Sequence, residues 1–149
     1  ICLPVAVGLY YAEAGQGASC SSLADGRVTG LKLDEGGLDL DEMKGGASIR
    51  DVAEPARTQM RDKLRALPGR WFPGSAGILG TAIASGTQNF LFHATCTPWD
   101  HAPVDLLCRE AGGHVGMIND GARYNAAMPG GILVASCHPS WQRLSDYLT

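Results

Sequence analysis

The stretch Thr97-Pro98-Trp99-Asp100-His101-Ala102-Pro103-Val104-Asp105-Leu106-Leu107-Cys108-Arg109-Glu110-Ala111-Gly112-Gly113 decides how the rest of the chain is read. It sets an acid, Asp100, where a helix should begin: an aromatic residue precedes it, a proline follows in the first turn, and an apolar run ends at a Gly-Gly stop. A helix N-terminus carries partial positive charge and unpaired N–H groups, so a carboxylate there is stabilised and its oxygens can point into a cleft. Asp100 is either a plain cap or a ligand, and spacing alone favours the cap.

Upstream of that helix, Phe90-Leu91-Phe92-His93-Ala94 reads as a strand. Before it, Gly74-Ser75-Ala76 opens a helix with Ser75 as its cap, and the small residues Gly77, Gly80, Ala82 and Ala84 predict close packing against a neighbour. From Asp51 to Leu67 the spacing of Val52, Ala56, Met60 and Leu64 predicts an amphipathic helix, capped by Ser48 or Asp51 and ended by Pro68-Gly69, with Arg70-Trp71-Phe72 as a brief strand after it. Downstream, His114 to Ile118 and Ile132 to Ala135 are apolar strands, and Ser140 to Leu148 is a closing helix. The N-terminal region reads differently: Ile1 to Val7 and Leu9 to Ala14 form an antiparallel hairpin leading into a loop, Val28 to Leu33 is a further strand, and Asp34 to Gly46 is rich in Gly, Asp and Glu. The expected division is a hairpin and strand over 1–33, an acidic Gly-rich loop over 34–50, and an α/β unit with helices against a sheet over 51–149.

Composition bounds what this unit can do. The chain has 149 residues, 45% of them hydrophobic, which is enough for a core. Its net charge is −3 and its basic residues are scattered, so neither nucleic acid nor an anionic membrane surface is an expected partner. No apolar run reaches spanning length. The five cysteines include no Cys-x-x-Cys pair and read as buried, reduced thiols of a cytoplasmic protein.

Several chemistries lack their partners. Ser75 has no G-x-S-x-G elbow, and the four histidines have no zinc spacing. Asp39-Leu40-Asp41-Glu42 lacks the ligand pattern of a calcium loop and reads as a solvated acidic turn. Cys96 with His93 or His101 would supply a thiol and a base, against the simpler reading of a core cysteine. No glycine-rich phosphate loop is present, because Gly112-Gly113 follows a helix and precedes a strand. A hard cation such as Mg2+ takes one or two carboxylates plus phosphate oxygens and water, and Asp100 could be one of them.

Trp99-Asp100-His101-Ala102-Pro103, continued to Glu110-Ala111-Gly112-Gly113, closely resembles the C-terminal signature of the inositol monophosphatase family. Gly74-Ser75-Ala76, about 25 residues upstream, is similar to that family's Gly-Ser-x-Ala turn, and Tyr11 to Ala18 is similar to its hairpin with a Gly-x-Gly-Ala turn. The resemblance implies the C-terminal part of a layered αβαβα sugar-phosphatase sandwich, with the end of an antiparallel sheet at its N-terminus. It implies Mg2+-dependent hydrolysis of a small-molecule phosphate monoester, an inositol, sugar or nucleotide phosphate. Asp100 matches the family aspartate that binds a catalytic Mg2+ beside the substrate hydroxyl. Gly74, Ser75 and Ala76 match the turn lining the sugar pocket, and His93, seven residues before Asp100, stands where some members carry a substrate-contacting Glu.

The family's other metal ligands come from an earlier Glu-Glu pair and an Asp-Pro-Ile/Leu-Asp-Gly-Thr motif, neither of which occurs in these 149 residues. The chain is accordingly expected to be the back half of such an enzyme, starting at Ile1 within the first sheet. Alone it is expected to be inactive, and its partners are expected to be the N-terminal half and a second copy in a homodimer. The other reading is a non-catalytic, family-like module that binds or dimerises.

Overall fold

The computed structural model describes residues 1–3, 8–69 and 73–149. Its centre is set by two strands with no polar face, β6 (Phe90–His93) and β8 (Ile132–Ala135), in which every residue is buried. Such strands belong in a sheet covered on both sides. They pair antiparallel, with β5 (Gly45–Ser48) parallel to β6 on one side and β7 (His114–Met117) antiparallel to β8 on the other, giving the order β5-β6-β8-β7 among the described residues.

Alternation of side chains divides the apolar residues of this sheet between two cores. Phe90, Phe92, Leu133 and Ala135 pack with Leu64 of helix α1 (Ala56–Ala66) and with Trp141, Leu144 and Leu148 of helix α4 (His138–Leu148). On the other face, Leu91, Ile132 and Val134 pack with Leu79 and Ile83 of helix α2 (Ala76–Ala84) and with Val104 and Leu107 of helix α3 (Pro98–Glu110). Each fully buried aliphatic or aromatic side chain contributes about 1.5–3 kcal/mol. The close approach expected of α2 is seen at Gly80, where a Cβ would lie 2.7 Å from both Val104 methyls.

The N-terminal sheet is entirely antiparallel, β1 (Cys2–Leu3), β2 (Gly8–Glu13), β3 (Gly17–Ser22) and β4 (Val28–Leu31) in that order. Its inner face lies on α3, with Ala18, Tyr10, Ala12 and Leu31 packed on the core that α2 and α3 share. The layers are sheet, helices, sheet, helices, the expected C-terminal part of an αβαβα sandwich. A carboxylate ties the first two layers: Glu110, at the end of α3, accepts the N–H groups of Gly15 and Gly17 at 2.9 and 2.8 Å.

The elements depart from the sequence reading in four places. Asp100 does not cap α3; Thr97 is the N-cap, Pro98 and Trp99 open the first turn, and Pro103 lies inside the helix. Helix α1 begins at Ala56 instead of Asp51, because Pro55 disfavours helical geometry at Glu54. Glu54 instead caps from outside, its carboxylate accepting Thr58 N–H at 3.2 Å and Thr58 Oγ1–H at 2.8 Å. The Gly-rich segment 34–50 contains a strand, β5, and Gly17–Ser22 is a strand and not only part of a loop. The expected strand at Arg70-Trp71-Phe72 lies outside the described residues, as does Pro4 to Val7 of the first expected strand. All five cysteines are free, but only Cys108 and Cys137 are buried; Cys20 and Cys96 are half-buried and Cys2 is exposed. Among the described residues, no helix is long and apolar enough to cross a membrane.

Candidate functional site

Strands β5 and β6 run parallel with Ser48 beside His93, so both end at the same edge of the sheet. The carboxyl ends of parallel strands, where backbone groups and helix starts converge, are the usual place for a ligand. Here the starts of α2 and α3 open a cleft of about 310 Å3. Asp100, Gly74, Ser75, Ala76 and His93 all line it, although they come from three separate stretches of sequence.

Gly74 holds φ +76°, a left-handed conformation that a residue with a side chain rarely adopts, and it turns the chain into α2. Ser75 is then the N-cap, its Oγ accepting the N–H of Ile78 at 3.3 Å. The same wall therefore carries the amide end of α2 and, across from it, the amide end of α3. Two helix N-termini aimed at one cleft make it favourable for an anion. Arg50, two residues past the end of β5, adds a full positive charge to the lining.

Asp100 sits in the first turn of α3, exposed, with Oδ2 accepting the Thr97 hydroxyl at 2.6 Å. The next residue, His101, is 2% exposed and faces inward. Its Nδ1 lies 2.9 Å from both the backbone N and the carbonyl O of Thr97, and its Nε2 lies 2.8 Å from Nδ1 of His93. His101 therefore bridges the Thr97 backbone and the His93 ring, one of the two facing ring nitrogens donating to the other. The two rings meet edge to face, centroids 4.9 Å apart. Burial pulls the pKa of His93 down to about 4, helped by His101 and opposed by Asp100. Burial also lowers that of His101, against the Thr97 backbone and Asp100. Both rings are neutral at pH 7.

Cys96 does not join this pair as a nucleophile. Burial raises its thiol to about 11, against thiolate formation, while His101 bridges His93 and the Thr97 backbone. Sequence reasoning missed the lining contributed by Arg50 and Thr95, and it gave Ser48 and Asp51 to helix capping. The signal that would have found them is the parallel pairing of β5 with β6, which sets 48–51 beside His93. Among the described residues, no group of three His, Cys, Asp or Glu is arranged to hold a metal ion. Asp100, Asp51, Ser48, Ser75, Thr95 and Thr97 line the cleft, and oxygens of this kind suit a hard cation but do not here form a full shell.

The chain matches the inositol monophosphatase family over residues 1–148. A comparison with curated proteins finds no significant match. Among solved structures, inositol monophosphatase II from Staphylococcus aureus superposes with a TM-score of 0.80 at 23% identity, over 97% of this chain and 52% of that one. The inositol monophosphatase of Anabaena (Nostoc) sp. gives 0.78 at 23% identity, over 97% and 56%. The extragenic suppressor protein SuhB of Bartonella henselae gives 0.79 at 20% identity, over 98% and 54%. The chain spans about half the length of these proteins. With the match running from its first residue to its penultimate one, this chain belongs to the inositol monophosphatase family.

Proposed function

We propose that these residues form the part of a Mg2+-dependent phosphomonoesterase that receives the leaving group and supplies one metal ligand. The observation that carries the reading is the convergence of Asp100, the Gly74–Ala76 turn and two helix N-termini on one cleft. Family membership supports it, and so do staphylococcal relatives whose structures hold inositol monophosphate in one case and 2′-AMP in another. The substrate is accordingly a small phosphate monoester on an inositol, sugar or nucleotide.

Asp100 would hold one Mg2+ through the oxygen not taken by Thr97. When bound, the ion lowers the pKa of a water and offsets charge on the phosphoryl group. The chain's own residues do the positioning. The amide ends of α2 and α3 draw the dianionic ester toward the cleft, and the Thr97 hydroxyl fixes the plane of the Asp100 carboxylate. Ser75 is committed to Ile78, so the turn it closes is rigid and gives the leaving group a fixed wall. His93 stays neutral and shapes the far side of the pocket. The remaining acidic ligands would come from a segment outside these residues.

The test is phosphate release by the intact protein with and without Mg2+, repeated with Asp100→Asn. Mg2+-dependent turnover that collapses in the variant supports the reading. Undiminished turnover in Asp100→Asn removes the role assigned to it.

A further inference from the structure

We propose that this chain carries a second ligand site, for a phosphorylated small molecule with a flat apolar ring, at the opposite end of α2 from the cleft. A pocket of about 550 Å3 lies there, between the inner face of the first sheet and the C-terminal residues Ala84 and Ser85. That volume falls within the range of small-molecule sites. Nine helical residues, about 13 Å at 1.5 Å each, separate it from the Ser75 end of the helix, so the two sites are distinct.

The pairing register builds one wall. Tyr10 stands beside Cys20 and Cys20 beside Thr29, one on each of three neighbouring strands and all facing the pocket. A Cβ on Gly8 would lie 2.9 Å from Cε2 of Tyr10, so the phenol ring lies over bare backbone. Tyr10 and Leu31 are each half-buried, packed on the core on one side and lining the pocket on the other. Tyr10 and Leu31 together make an apolar patch suited to a flat ring.

The charged part of the lining is cationic. Arg27 and Lys32 both border the pocket, both are exposed, and neither belongs to an ion pair among the described residues. No carboxylate of a described residue lines it. The nearest acid in sequence, Asp25, turns back to accept the N–H of Arg27 at 3.1 Å within the β3–β4 turn. The carbonyl end of α2 would oppose an anion, but three of its last four carbonyls are occupied: Thr81 O accepts the N–H of Ser85 at 3.0 Å, Ile83 O accepts the N–H of Gly86 at 2.8 Å, and Ala82 O accepts Thr87 N–H at 2.9 Å and Thr87 Oγ1–H at 3.0 Å. Two uncompensated cations beside an apolar wall recognise a phosphate joined to a ring.

Cys20 gives a direct readout, because its half-buried thiol is part of the wall. The intact protein is titrated with AMP in EDTA, with adenosine and inorganic phosphate as separate arms, while alkylation of Cys20 by iodoacetamide is followed by peptide mass spectrometry. AMP at millimolar concentration should slow Cys20 alkylation, and each half-ligand should do so far less. Arg27→Gln with Lys32→Gln should raise the AMP concentration required by more than about tenfold, with circular dichroism and phosphatase turnover unchanged. Asp100→Asn should leave the protection as it is, since the cleft is not involved. No protection by AMP overturns the proposal, as does equal protection in the double variant. Adenosine protecting as well as AMP, or protection lost in Asp100→Asn, overturns it too.

Discussion

At Asp100 one carboxylate serves both the helix and the cleft. Its place in the first turn of α3 favours negative charge, an effect worth about 0.3–1 kcal/mol, and its bond to the Thr97 hydroxyl holds it in one orientation. Asp100→Asn keeps the shape and removes the charge. It should lower Mg2+-dependent phosphate release by at least about a hundredfold, while the melting temperature moves by only a few degrees. The histidine pair behind it makes a separate pH prediction. His93 has its pKa depressed to about 4, against about 6.5 when unfolded, so its contribution to stability is complete above pH 6.5 and is lost as pH falls through 4. Urea titrations from pH 8 to pH 4 should show a loss on the order of 2–3 kcal/mol, and His93→Gln should flatten that slope. A midpoint independent of pH in the parent protein would show that His93 is not held neutral by the fold. Of the residues lining the cleft, Asp100 and Ser75 were legible because they lie in short motifs, and His93 through its spacing from Asp100. The place of His101 was not legible, although it stands in the same motif, since it depends on the Thr97 backbone and on His93, eight residues away and on another element.

The elements that escaped sequence reading are those whose stability comes from contact and not from propensity. Strand β5 begins Gly-Gly, which in isolation signals a loop, yet a Cβ at Gly45 would stand 2.2 Å from Phe90 O, so only glycine permits this pairing. Strand β3 consists of small and polar residues and is recognisable only through its register with β2. By contrast β6, β8 and α4 announce themselves, because a continuous apolar run or a strong helical stripe leaves little choice of environment. The contact between α2 and α3 is equally specific. Gly80→Ala would place a methyl 2.7 Å from the Val104 side chain, and separating the helices should cost about 1–3 kcal/mol in chemical denaturation. Glu110 acts between elements in another way. The amides of Gly15 and Gly17 lower its pKa, so the bond they share is intact above the ordinary carboxylate range and fails as pH falls through the lowered value. Glu110→Ala should speed hydrogen exchange at Gly15 and Gly17 selectively, leaving β6 and β8 protected; unchanged exchange at both glycines would mean the hairpin is held by the β2–β3 ladder alone.

For the molecule as a whole, the two sheets are treated unequally. The second has helices on both faces, whereas among the described residues the first meets helices on one face, that toward α2 and α3. Leu9 and Tyr11 of β2 project from its other face, together with Val28, which the register aligns with Leu9 through Ser21. These side chains are 39%, 47% and 57% exposed, three large apolar groups on one face of the antiparallel sheet with Ser21 between Leu9 and Val28. Large apolar groups gathered on one sheet face favour a covering layer, since exposed apolar surface drives association. Produced by itself, the 149-residue chain should therefore self-associate, and light scattering should report species larger than 15.6 kDa. Leu9→Lys with Val28→Thr should shift it toward monomer without unfolding it, because neither side chain belongs to a core. In the intact protein, Tyr11 should be shielded from iodination relative to the isolated chain. A monodisperse monomer of the unmodified chain, with Tyr11 reacting equally in both forms, would mean that this face is a true outer surface and that the fold needs nothing more on that side.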